Sequence, residues 1–172
     1  MEALTVLKER RSIRTYLDKA VEPEKLEAVL EAGTFAPTGS GKQSPVMVAT
    51  QNPALVEKLS KLNAAVMGKD TDPFYGAKTV VIVFGNPDGA RTWFEDGCLV
   101  MGNLMNAAYA VGLDSCWIHR AKEVFAGEEG KALMKEWGVP ETYVGIGHCI
   151  LGYAACEHPT PAPRKEGYVI RV

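Results

Sequence analysis

The chain has 172 residues, 47% of them hydrophobic and 23% charged, with a formal net charge of −2. That is enough apolar material for one domain with a sizeable core, and a balance so near neutral argues against a nucleic-acid binder or a membrane-surface protein. Residues 1–14 carry no apolar h-region, and no run of about 18 apolar residues suggests a membrane span. The four cysteines, Cys98, Cys116, Cys149 and Cys156, form no CxxC pair. Three lie in apolar segments and read as small buried hydrophobes, so a reducing, cytoplasmic location is expected.

In chain order, residues 2–10 read as a short helix with Leu4, Leu7 and Val6 on its apolar face, and residues 11–21 as an extended link. Pro23 fits the first turn of a second helix, in which Leu26, Val29 and Leu30 share one side and Gly33 is placed to end it. The stretch 37–45 (PTGSGKQSP) is a loop of little side-chain bulk. Residues 46–50 form a strand candidate and 53–67 an amphipathic helix with Leu55, Leu59, Leu62 and Val66 in register. Residues 79–85 (TVVIVFG) form a buried, β-branched strand.

Residues 92–111 predict a long helix closed by Gly112, apolar nearly all round from Cys98 onward. Such a helix is buried on all sides, and in so small a domain a second subunit is expected to supply part of the cover. Its Gly97, Gly102, Ala107 and Ala108 would permit close helix approach. A strand over 115–118, a helix over 124–137 with Leu133 and Met134 inward, and a glycine-rich strand over 144–154 follow. Pro159, Pro161 and Pro163 exclude a helix or central strand from the last 18 residues, so 155–172 is expected as an extended arm of one domain spanning 1–172. The element order predicts a helix-flanked sheet in one layered domain.

Arg10, Arg11, Ser12 and Arg14 directly follow the first helix. Two adjacent guanidiniums and a hydroxyl suit a phosphate, although an exposed basic turn would look the same. Arg164 and Lys165 make a second basic pair on the arm. The 37–45 loop is not a Walker A motif, because Gln43 follows Lys42 where Ser or Thr is required. There is no GxGxxG, GxSxG or HExxH, and His119, His148 and His158 lack metal-ligand spacing. The acidic residues read as solvated helix faces. Residue chemistry alone therefore reaches a helix-flanked sheet with anion-binding elements.

Taken together, the segments resemble the nitroreductase family. The start (RRSIRTYLDKAVEPEKLEAVLEAGTFAP), the PTGSGKQSP loop, the stretch GNLMNAAYAVGLDSCWI, then GHCILGYA and the PRK tail occur in the family's order over nearly the whole chain. The resemblance implies an α+β fold with a mixed, mainly antiparallel sheet between helices, a three-layer sandwich that dimerises and holds FMN at the interface. By position, Arg10, Arg11 and Ser12 would hold the phosphate and ribityl end, and Arg14 would lie by the pyrimidine side of the ring. Pro37, Thr38, Gly39 and Gln43 would come from the partner subunit. Trp117, Ile118 and His119 would border the ring, and Arg164 and Lys165 would close on the phosphate. Gly41, Ser44 and Pro45 depart from the family's Asn and Pro-Trp, and the brief segment between Met67 and Thr79 predicts a more open pocket.

The implied chemistry belongs to the flavin, with NADH or NADPH as reductant and a nitroaromatic, quinone or similar acceptor; no metal and no side-chain nucleophile is expected. Reductive dehalogenation, ene reduction, an FMN carrier without turnover and a cysteine or zinc protein stand as alternatives, separated by NADH oxidation and metal analysis.

Overall fold

The computed structural model describes residues 2–172. Its elements are α1 (Ala3–Glu9), α2 (Pro23–Thr34), a 3-10 turn (Gly39–Gly41), β1 (Val46–Thr50), α3 (Pro53–Met67), β2 (Thr79–Gly85), α4 (Trp93–Ala110), β3 (Asp114–Ile118), α5 (Ala121–Ala126), α6 (Glu128–Glu136) and β4 (Val144–Gly152). The strands form one sheet in the order β1-β2-β4-β3, and every pair of neighbours is antiparallel. The parallel component is an isolated bridge from Ser12 to Ser115, where the segment after α1 runs along the β3 edge. Ile13 N–H donates to the Ser115 carbonyl at 3.1 Å and Leu17 N–H to that of Tyr153 at 2.9 Å.

Strand alternation divides the core into two layers of helices around the sheet. Val80, Ile82 and Phe84 of β2 pack with Val56 and Leu59 of α3, Val124 and Phe125 of α5, and Leu133 and Met134 of α6. Val81 and Val83 pack on the other side with Leu26 and Val29 of α2 and Val100, Met101 and Leu104 of α4. A bulge interrupts β4 opposite Val83 and Phe84, and its extra residue, Ile146, turns to the α4 side. The fold is thus the expected α+β three-layer arrangement.

Local chemistry fixes the ends of α3. The Asn52 side chain accepts from the N–H groups of Ala54 and Leu55 at 3.0 and 3.2 Å, Pro53 opens the first turn, and Gly68 closes the helix at φ 66°. The helix expected over 124–137 is instead two. Gly127, at φ −76° and ψ 159°, breaks it into α5 and α6. A Cβ on Gly130 would lie 2.1 Å from the Val124 carbonyl oxygen, so α6 approaches α5 more closely than any side chain allows.

Three further expectations change. In α1 only Val6 is buried, while Leu4 and Leu7 are 64% and 61% exposed. In α4 one side is buried, but Phe94 and Leu99 stand half exposed and Cys98, Met105 and Ala107 are only partly covered. Asp96 is not a solvated acid: it is 2% exposed. Cys116 and Cys149 are buried as expected, Cys98 is intermediate and Cys156 exposed, all as free thiols. Residues 155–172 run exposed, without helix or strand, and His158 ties their base to Asp114 at 2.7 Å. Among the described residues no helix is long and apolar enough to cross a membrane.

Candidate functional site

The β3 edge gathers the first basic cluster. Arg10 caps α1, its N–H bonded to the Val6 carbonyl. Arg11 Nη1 donates to the carbonyls of Lys8 and Arg10 at 2.8 and 2.7 Å. The next residues dock on β3 because Ile13, 1% exposed, inserts into the core. This leaves Arg10 Nη1, Arg11 Nε and Ser115 Oγ buried with no acceptor or donor partner among the described residues. Buried guanidinium N–H groups without partners are costly, and their strongest natural acceptors are oxyanions. Arg14 is exposed. Burial raises the Cys116 thiol pKa, opposed by Arg14, by a hydrogen bond with Ser12 and by Arg10, so these groups converge on one strand.

Ser115 and Trp117 share one face of β3, and Cys116 and Ile118 the other. Trp117 lies across Gly147 of β4, where a Cβ would stand 2.4 Å from the indole Nε1; only glycine lets the ring lie flat on the strand. Ile118 is 5% exposed and turned into the core, so its backbone is what it can offer a ligand. His119 is exposed at the strand end.

Directly after it, Arg120 takes φ 75°, a left-handed conformation that costs a side-chain-bearing residue on the order of 1–3 kcal/mol. Asn63 of α3, fully buried, holds this turn. Its Nδ2 donates to the His119 carbonyl at 2.7 Å and its Oδ1 accepts from Arg120 Nε at 2.9 Å. His148, buried against Phe74 and Phe125, lies beneath, and desolvation lowers its pKa to about 4, so it is neutral near pH 7. Sequence reading missed Asn63, and the available signal was a polar residue one turn after Leu59 on the inward side of an amphipathic helix.

The 37–43 loop lies at the opposite edge, immediately before β1. Three strand spacings, on the order of 14 Å, separate that edge from β3. Gly39 N–H donates to Asp96 Oδ1 at 2.9 Å, and a Cβ on Gly39 would meet Thr92 Oγ1 at 2.0 Å, so the loop is pinned to the first turn of α4. Gln43 N–H donates to Thr38 Oγ1 at 3.0 Å, and Gln43, at φ 48°, is exposed, as is Pro37. Asp96, the residue that anchors the loop, was also missed: its position in the first turn of a helix looks like ordinary dipole complementation.

Arg164 and Lys165 stay apart from Arg10–Ser12. Among the described residues Arg164 bonds the nearby Ala162 carbonyl alone, and Lys165 lies 5.4 Å over the Tyr168 ring. Within one chain, then, the structure brings Arg10, Arg11, Ser12, Arg14, Trp117, Ile118 and His119 to the β3 edge, and it places Pro37, Thr38, Gly39 and Gln43 at the other.

The nitroreductase family model matches residues 7–153. A relative from Archaeoglobus fulgidus, provisionally named an NADH dehydrogenase/NAD(P)H nitroreductase, is 28% identical over 157 residues, covering 88% of this chain and 85% of its own. The solved nitroreductase with bound FMN from Bacteroides fragilis NCTC 9343 is 29% identical, with a TM-score of 0.90 over 100% of this chain and 99% of that one. The FMN-bound nitroreductase from Desulfitobacterium hafniense DCB-2, 24% identical, shares the fold with a TM-score of 0.88 over the whole of both chains. The family's span includes the basic cluster, the 37–43 loop and the Trp117 strand, and on that match the chain belongs to the nitroreductase family.

Proposed function

We propose that the protein is a cytoplasmic, FMN-dependent oxidoreductase working as a homodimer, which oxidises NADH or NADPH and reduces a nitroaromatic, a quinone or a similar flat acceptor. The observation that carries this is the unpartnered set at the β3 edge: Arg10 Nη1 and Arg11 Nε, buried and without acceptors, beside Ser12 and Ser115. That donor set fits the phosphate of FMN. The solved relative from Bacteroides fragilis binds FMN on the same fold.

Arg10, Arg11 and Ser12 hold the phosphate and ribityl end. Trp117, the Ile118 backbone and His119 border the ring. When bound, FMN would supply the redox chemistry, a hydride transfer between nicotinamide and acceptor. Arg14 places positive charge on the pyrimidine side, where negative charge develops, and so acts electrostatically without moving a proton. Pro37, Thr38, Gly39 and Gln43 belong to the partner's flavin, because their own chain holds them on the far edge of the sheet. Arg164 and Lys165, on an exposed arm with local contacts only, reach a phosphate across the dimer. Residues 1–172 act as one domain, with 155–172 as that arm.

Nicotinamide and acceptor are both flat and must stack on the same ring, so they exclude each other and turnover is ping-pong. The purified protein should be yellow or take up FMN at micromolar concentrations, and absence of uptake would overturn the reading. Steady-state plots against NADH at several acceptor concentrations should be parallel, whereas intersecting lines would mean that both substrates bind together.

A further inference from the structure

Asn63 is fully buried on α3 and no part of the functional reading uses it. Its amide is shared between two consecutive residues: the His119 carbonyl takes its N–H, and Arg120 Nε donates to its oxygen. From β4, His148 Nδ1 lies 3.5 Å from the same Asn63 Nδ2. One buried side chain, backed by a second from β4, thus holds two successive residues where β3 passes into α5. A helix start needs no such support. The N-cap of α5 is Arg120, which makes no side-chain cap bond and sits in the left-handed region that glycine would take freely. Burying an amide is costly unless both of its ends are bonded, and a fully bonded buried amide specifies one geometry.

We propose that Asn63 is a positioning residue of the flavin site: through the His119 carbonyl and the Arg120 guanidinium it fixes the turn that presents Trp117 and His119 at the end of β3. The proposal rests on the reading that these residues border FMN. Asn63 touches neither of their side chains, so it acts through the peptide between His119 and Arg120. The phosphate grip at Arg10 to Ser12 lies at the other end of β3, near Ser115, and is outside its reach.

The test compares Asn63→Ala with Arg120→Ala, the second at a half-buried position that keeps the test valid if the first fails to fold. Hydrogen exchange without cofactor should quicken over residues 118–123 in both variants. With FMN bound, the midpoint potential should shift and kcat/KM for NADH should fall by roughly ten- to a hundredfold, as misplacement of bordering groups predicts. FMN affinity should change far less, because the phosphate contacts are intact. Variants that melt earlier but keep wild-type exchange at 118–123 and the wild-type potential would reduce Asn63 to a core residue and overturn the proposal alone. A wild type that takes up no FMN would overturn the functional reading and this proposal with it.

Discussion

The two faces of the sheet are built from similar helices and finished differently. On one side α3, α5 and α6 bury most of their apolar residues, although Val66 near the end of α3, expected on its inward face, is 41% exposed, and they turn ion pairs outward, Lys61 to Glu57 at 2.6 Å and Lys58 to Glu129 at 3.5 Å. On the other, α4 buries Val100, Met101, Leu104 and Ala108 against the sheet but leaves Phe94 and Leu99 half exposed. Leu4 and Leu7 of α1 and Phe35 after α2, the two helices that contact α4, also stand open, as do Tyr168, Val169 and Ile170 of the arm. Apolar exposure on that scale marks an interaction surface and not a finished exterior. The first face is complete within one chain. The second leaves apolar side chains open, as the proposed homodimer requires, and the proposed flavin-site residues lie on opposite edges of the sheet.

The sharpest way to break this comparison is at Gly102, in the middle of α4. A Cβ there meets nothing within 4 Å, so a side chain is tolerated by the isolated chain. Gly102→Glu should therefore leave a folded monomer while costing the dimer about 3–5 kcal/mol, the penalty for an unpaired charge in a dry interface. Light scattering would read it as dissociation with loss of FMN. A dimer that survives the change would put the interface elsewhere.

The finished face can be challenged with acid. Desolvation lowers His148 from 6.5 to about 4. The unfolded chain therefore takes up the proton first as pH falls. Stability is full above pH 6.5 and is lost between there and pH 4, by about 3 kcal/mol at most. Glu22, held near 2 chiefly by its hydrogen bond from Tyr153, loses its contribution below pH 4.5 and so outside most of that window. Urea unfolding at pH 7 and pH 5 should show the drop, and His148→Phe should flatten it. An unchanged slope in the variant would assign the pH dependence to other groups.

Much of this architecture was legible because its signals are local. Pro53 and Gly68 bracket α3, and the unbroken apolar run 79–85 could only be a central strand. The break at Gly127 was not legible, since a glycine in an amphipathic stretch looks tolerated until Gly130 proves to lie against the Val124 carbonyl. The basic cluster could be seen, but not that Arg10 and Arg11 would each keep a buried, unpartnered nitrogen, which depends on the segment after α1 docking along β3. Asn63 and Asp96 were hidden for a common reason. Each is a polar residue on a helix, and its meaning lies in a loop distant in sequence that only the fold brings near.

At the β3 edge two arginines should separate in mutants. Arg11→Ala removes a charge-assisted donor and should weaken FMN binding by roughly 1.5–3 kcal/mol. Arg14→Ala, at an exposed position beside the proposed ring site, should lower the flavin's reduction potential more than its affinity. Fluorescence titration and potentiometry on both variants check the division. Equal losses of affinity with no change in potential would refute it.

The smallest effect belongs to the outer surface of the finished face. Lys58 of α3 and Glu129 of α6 are joined at 3.5 Å with side chains 45% and 65% exposed, so water screens the pair and two long side chains must be held still to make it. Lys58→Ala should shift stability by less than about 0.5 kcal/mol and leave association and FMN uptake unchanged. In the proposed homodimer a charge can be removed here at little cost, whereas adding one at Gly102 on the opposite side should dissolve the pair. If Lys58→Ala weakened the dimer as Gly102→Glu is expected to, both faces would be interfaces. The protein would then form chains of subunits and not closed pairs, which sedimentation at increasing concentration would reveal.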